Sequence, residues 1–134
     1  AKGAQVVCGG NHVGYRGYYD APTVLTVVSA DARIMREEIF CPVAPIATFA
    51  TEAESVARAN DTEYGLVAYV FTRDLSRTLR VSEALEFGMV GINQGIVSNP
   101  AAPFGGVKHS GFGREGGFEG IEEYLEVKYV GIAP

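Results

Sequence analysis

Between Val43 and Asn93 the chain alternates between strand-like and helix-like hydrophobic patterns, and this alternation restricts its fold more than any other feature. Val43 to Phe49 reads as a strand, with Pro42 and Pro45 reducing the backbone donors of its first half. Thr51-Glu52-Ala53-Glu54 has the residues of a capping box, in which Thr51 accepts from the N–H three residues on and Glu54 reaches back. The helix that follows places Ala53, Val56, Ala57 and Ala59 near one face and ends around Asn60-Asp61. Leu66 to Phe71 is a nearly continuous apolar strand, the pattern of a strand covered on both sheet faces. Asp74 suits the N-cap of a helix from Leu75 to about Phe87, with Leu75, Leu79 and Leu85 inward and Gly88 as the stop. Met89 to Asn93 is the third strand. This order predicts an α/β fold, a mostly parallel sheet with flanking helices and right-handed crossovers.

The flanks are less regular. Gln5 to Cys8 is a short strand stopped by Gly9-Gly10, and Tyr18-Tyr19 and Thr23 to Val28 read as further strand. Met35 to Phe40 suits a short helical turn before Pro42. After Asn93 comes a loop of roughly twenty residues, a length that in a compact domain marks function or disorder. It is rich in glycine and poor in charge, which favours a structured loop. Glu115 to Tyr124 reads as helical despite Gly116, Gly117 and Gly120, which cost about 1 kcal/mol each in a helix interior. Tyr124 to Val130 alternates and predicts a C-terminal strand.

Composition excludes several classes of function. With 134 residues, 47% hydrophobic and 20% charged, the chain has the make-up of one globular domain and not of a disordered segment. The net charge is −5, with Lys and Arg scattered singly, so no nucleic-acid or membrane-surface partner is expected. No apolar run approaches the ~20 residues that cross a bilayer. The start, Ala1-Lys2-Gly3-Ala4-Gln5, lacks signal-peptide anatomy, and Cys8 and Cys41 fit neither a disulfide framework nor a metal-ligand spacing. The expected location is the cytoplasm, and no metal site is expected.

Two segments carry the chemistry. The first is Glu37-Glu38-Ile39-Phe40-Cys41-Pro42-Val43. The second is Pro103-Phe104-Gly105-Gly106-Val107-Lys108-His109-Ser110-Gly111, running on to Gly113-Arg114-Glu115. Taken alone, a Glu pair is two solvated carboxylates and a Gly-rich run is a turn. Cys8 reads as a buried, inert strand thiol, neither cysteine has a His paired to it by a motif, and His12 and His109 are isolated loop residues. No GxGxxG follows a strand, so the chain has no dinucleotide-binding half of its own.

Together the two segments resemble the C-terminal part of an NAD(P)-dependent aldehyde dehydrogenase catalytic domain. The run Ala68-Tyr69-Val70-Phe71-Thr72-Arg73-Asp74-Leu75 and the tail Gly113 to Tyr129 are similar to the succinate-semialdehyde dehydrogenase branch. The resemblance covers nearly the whole chain. It implies that Glu38 accepts hydrogen bonds from the nicotinamide-side ribose hydroxyls and that Phe40 packs beside that ribose. NAD or NADP is the implied cofactor. Where the family has Gly this chain has Cys41, whose side chain would crowd the turn. Asn93, Pro103, Phe104, Gly105 and Gly106 take architectural roles, with Asn93 bonding loop backbone. Ser98 matches a serine that, together with arginines from upstream, helps hold the substrate's distal carboxylate; read on its own it is a turn serine bonding local backbone.

The resemblance further implies that the nucleophilic Cys, the general-base Glu, the oxyanion Asn and the NAD-binding domain lie upstream of the matched region. This chain then supplies no catalytic residue and alone oxidises no aldehyde. Residues 1–123 form the partial catalytic domain, and 124–134 form an oligomerisation strand through which the chain joins a homo-oligomer. The partner is a small-molecule aldehyde, with succinate semialdehyde expected. The alternative is a non-catalytic interaction or oligomerisation module that retains the fold.

Overall fold

The computed structural model describes residues 3–134. The chain divides into two compact units, one ending at Thr51 and the other Glu52–Pro134.

The first unit is built on a three-stranded sheet of β1 (Gln5–Cys8), β2 (Thr23–Thr26) and β3 (Val43–Pro45), in that spatial order. β1 runs antiparallel to β2, pairing Gln5 with Thr26 and Val6 with Leu25, and its register shifts between Val6 and Cys8. β2 and β3 are parallel, with Thr23 opposite Val43 and Leu25 opposite Pro45. Pro45 has no N–H to give, and it lies on an edge strand, where that loss is tolerated. Ile46 continues the ladder by donating to the Leu25 carbonyl at 2.8 Å. Thr23 is the buried polar residue of this unit, and its hydroxyl is satisfied: it accepts from the Gly10 N–H at 2.8 Å and donates to the Ala21 carbonyl at 2.7 Å. The helical turn before Pro42 is a 3-10 turn, Arg33–Met35, two residues earlier than the sequence suggests.

The second unit begins with α1 (Glu52–Asn60), starting directly after Thr51. Then come β4 (Tyr64–Gly65), β5 (Val67–Val70), α2 (Leu75–Ala84), β6 (Met89–Ile92), β7 (Val107–Lys108) and a 3-10 turn, Glu119–Tyr124. β5 and β6 are parallel and in register from Val67–Met89 to Val70–Ile92, with α2 as the crossover a parallel pair requires. β4 and β7 are antiparallel, Tyr64 opposite Lys108 and Gly65 opposite Val107. Asp74 caps α2, its carboxylate accepting from the Arg77 N–H at 3.0 Å.

Polar contacts join the two helices at both ends. Glu52 on α1 accepts from Arg80 and Arg77 on α2, each at 3.0 Å. At the other end the Asn60 side chain donates to the Ala84 carbonyl at 2.8 Å and accepts from the Glu86 N–H at 2.9 Å. Lys108 completes this end: its ammonium donates to the Asn60 carbonyl at 3.0 Å and pairs with Glu86 at 2.9 Å. A cation at the last carbonyl of α1 also complements the helix dipole.

Several sequence expectations are corrected. Among the described residues the mostly parallel sheet is replaced by three small sheets, one mixed, one antiparallel and one parallel, because β3 pairs with β2. A hydrophobic period shows that a segment is a strand but not which strand it meets. β1 is exposed along its whole length, so Cys8 is an exposed strand thiol, not a buried one. On α2, Leu75 and Leu79 are 74% and 56% exposed, while Val81 and Leu85 are buried. The helix carries two apolar i, i+4 pairs, and packing selects the second. α2 ends at Ala84, with Leu85 as C-cap, so Gly88 does not stop it. Gly88 instead permits close packing, since a Cβ there would lie 2.0 Å from the Gly105 carbonyl oxygen. On α1, Ala53, Ala57 and Ala59 are exposed and only Val56 of the expected face is partly covered. Residues 125–134 pair with no strand among the described residues; the pairing expected of them is with a second subunit.

Candidate functional site

Each unit presents one candidate site. In the first, the Arg33–Met35 turn places the Arg33 guanidinium over Glu37, and two hydrogen bonds of 2.8 and 2.7 Å join them. Those bonds hold the Glu37 carboxyl below its usual pKa and raise that of Arg33. The two adjacent glutamates therefore differ. Glu37 is committed to Arg33, while Glu38 is exposed and has no hydrogen-bond or ion-pair partner among the described residues. An unpaired carboxylate can accept from two vicinal hydroxyls at once.

Phe40 has φ +46 and its ring is 92% exposed. A bulky residue in the left-handed region costs on the order of 1–3 kcal/mol, and such strain gathers at ligand sites. The turn thus presents an unpaired carboxylate and an exposed aromatic ring two residues apart. Cys41 is exposed and is not among the residues with positive φ. The left-handed position falls one residue earlier, at Phe40.

In the second unit the loop after β6 is pinned at both ends. Asn93, at φ +52, bonds the backbone of Thr72 through both ends of its amide. Phe104 and Glu115 exchange backbone hydrogen bonds of 2.7 and 2.9 Å, which closes the loop. Pro103, exposed, leads into Gly105 and Gly106. Gly106 is buried, and a Cβ there would sit 2.5 Å from that of Ser110. Arg114 braces the same turn, one nitrogen donating to the carbonyls of Gly106 and Gly113, both at 2.7 Å.

Phe104 and Glu115 line two depressions. One, of about 370 Å³, also takes in Leu66, Phe112, Arg114 and Tyr124. The other, of about 340 Å³, also takes in Ser98, Asn99, Pro100 and Gly116. The Ser98 hydroxyl forms no hydrogen bond among the described residues. The turn beside it is closed by Asn99, whose side-chain oxygen accepts from the Ala101 N–H at 3.0 Å. The roles of Arg114, Lys108 and Asn99 go beyond what their places in the sequence indicate. The one available signal was a cation inside a Gly-rich run, where backbone carbonyls crowd together.

The described residues contain no cluster of three His, Cys, Asp or Glu able to hold a metal ion. The histidines pair with carboxylates on the surface, His12 with Asp20 at 3.5 Å and His109 with Glu63 at 3.2 Å. No helix among the described residues is long and apolar enough to cross a membrane.

Comparison with known proteins adds the following. A family model described as aldehyde dehydrogenase family matches residues 1–130. The Escherichia coli protein named succinate-semialdehyde dehydrogenase (NADP(+)) GabD is 57% identical over 131 residues, which are 98% of this chain and 27% of that protein. The glutarate-semialdehyde dehydrogenase of Pseudomonas putida is 53% identical over 133 residues, 99% of this chain and 27% of that one. A crystal structure of an Escherichia coli NADP-dependent enzyme superposes with a TM-score of 0.93 at 57% identity, over 96% of this chain and 27% of that one. The chain thus spans about a quarter of the length of the relatives it matches.

Proposed function

The chain belongs to the aldehyde dehydrogenase family, and on that premise we propose that it forms the C-terminal part of the catalytic domain of an NAD(P)-dependent enzyme that oxidises succinate semialdehyde to its acid. The observation that carries this reading is 57% identity, over 98% of the chain, to a protein named for that substrate. A relative named for the homologue one methylene longer supports the same class, a short aldehyde with a distal carboxylate.

In the reaction a cysteine thiolate, supplied outside this chain, adds to the aldehyde carbon, hydride leaves that carbon, and water releases the acid. NAD or NADP, when bound, accepts the hydride. This chain's residues orient the reactants. Glu38 accepts from the ribose hydroxyls and Phe40 covers the sugar's apolar face. The free Glu38 carboxylate and the exposed Phe40 ring support these roles. Ser98 donates to the substrate's distal carboxylate, supported by an unengaged hydroxyl at the edge of the 340 Å³ depression. Asn93, Pro103, Phe104, Gly105 and Gly106 hold the loop that carries Ser98. Residues 124–134 add a strand to a second subunit.

The test is to assay the chain alone, and joined to the NAD-binding and cysteine-bearing segments of the family, with succinate semialdehyde and either cofactor. The joined protein is expected to reduce cofactor and the chain alone is not. A joined protein that folds, binds cofactor and still gives no turnover would point to a non-catalytic interaction module.

A further inference from the structure

Asn99 stands beside Ser98 on the same depression, and its amide is half used. Its side-chain oxygen accepts from the Ala101 N–H at 3.0 Å, and its backbone carbonyl accepts from the Ala102 N–H at 3.0 Å. Pro100 between them fixes its own φ and keeps Asn99 out of the helical region, which makes the turn stiff. The Ala101 N–H can only donate, so the oxygen of the amide must face it and the NH2 end must face away. That NH2 group offers two N–H donors and finds no acceptor among the described residues.

Two uncharged donors, the Ser98 hydroxyl and the Asn99 NH2, therefore sit on neighbouring residues at one edge of the depression. Of the residues lining the depression, Ser98 and Asn99 are the two with unengaged uncharged side-chain donors that a carboxylate could use. We propose that Asn99 is a specificity-determining residue, donating from its NH2 group to the second oxygen of the substrate's distal carboxylate while Ser98 donates to the first. The proposal rests on the reading of Ser98 given above.

The test uses the complete dehydrogenase and compares kcat/KM for succinate semialdehyde with that for butanal, which has the same carbon count and no charge. Asn99→Ala should lower the first about 10- to 100-fold, the effect of one hydrogen bond to a charged group, and change the second by no more than about twofold. Loss of the turn alone could mimic this by displacing Ser98, so the double variant with Ser98→Ala decides. An independent donor predicts a further loss of about fivefold or more when Asn99→Ala is added to Ser98→Ala. No further loss, or equal losses on both substrates, overturns the proposal. Should Asn99→Ala fail to fold, Asn99→Asp keeps the acceptor for Ala101 and removes the donors. It should retain butanal oxidation and lose succinate semialdehyde, and retention of both overturns the proposal. Should Ser98→Ala itself prove unselective, the Ser98 reading falls and the two-donor arrangement with it, whereas a selective Ser98→Ala beside an unselective Asn99→Ala overturns the Asn99 assignment alone.

Discussion

Thr72 and Asn93 are joined by two hydrogen bonds of 2.8 Å running in opposite directions, Thr72 N–H to the Asn93 side-chain oxygen and the Asn93 side-chain NH2 to the Thr72 carbonyl. The Asn93 N–H also donates to the Val70 carbonyl at 2.8 Å. Asn93 is thus the last rung between β5 and β6, although its φ of +52 turns it out of the strand. The amide lets the chain leave the sheet without stranding the Thr72 backbone, and the loop bearing Ser98 starts from that point.

Asn93→Ala should therefore destabilise the chain by about 1–3 kcal/mol, the net value of two lost hydrogen bonds. Ala also tolerates positive φ less well than Asn. Asn93→Gly loses the same bonds without the dihedral penalty and should fall less. Urea denaturation midpoints test both, and a wild-type midpoint for Asn93→Ala would mean that water replaces the amide at no cost.

Glu38→Gln in the complete enzyme should slow hydride transfer more than it weakens cofactor binding. A ribose contact is worth a few kcal/mol at most, but misaiming the reacting carbon by an ångström can cost on the order of 100-fold. Single-turnover kinetics read the hydride step directly. If that step is unchanged, Glu38 does not hold the ribose.

Glu52 should shape the acid limb of stability. Hydrogen bonds first from Arg80 and then from Arg77 lower its pKa in the folded chain. A depressed carboxylate stabilises the fold above its unfolded value of about 4.3 and ceases to do so as pH falls through the lower folded value. Stability owed to these contacts is therefore nearly level from neutrality down to about pH 5 and declines below it. Glu37, lowered by Arg33, and Asp74, lowered chiefly by the Arg77 backbone N–H, add to the same limb. Glu52→Gln should flatten the decline in thermal midpoints taken from pH 6 to pH 3. An unaltered slope would remove Glu52 from the acid response. Because Glu37 and Asp74 are exposed and Glu52 is only half-buried, added salt should weaken the effect.

The segment after Tyr124 should drive self-association. Leu125, Val127, Tyr129 and Ile132 are exposed, Val127 fully, and no strand among the described residues pairs with them. Unpaired backbone groups beside apolar side chains template pairing with another chain. Two copies pairing through this strand about a two-fold axis would close the assembly. Light scattering at tens of micromolar is the measurement. A stable monomer for the intact chain would exclude the strand-pairing role.

What the sequence by itself determined lies at short range. The Asp74 cap is decided by a carboxylate and an N–H three residues apart, and the structure has it. The β5–α2–β6 unit was legible because an apolar run, a capped helix and a second apolar run leave few arrangements other than a parallel pair with a crossover. Family membership was legible from the Glu37 to Val43 and Pro103 to Glu115 motifs. Tertiary structure decided whatever depends on a distant partner. β3 took β2 as its neighbour, α2 buried Val81 and Leu85 over Leu75 and Leu79, and Cys8 was left exposed. It also separated Glu37 from Glu38, which the sequence presents as equals, by aiming Arg33 at only one of them. At the loop it assigned the turn to Asn99 and left the Ser98 hydroxyl open. Periodicity and capping act over one or two turns of chain and can be read in order. The partner of a strand, helix face or side chain is settled by competition among contacts far apart in sequence, and no local pattern records the winner.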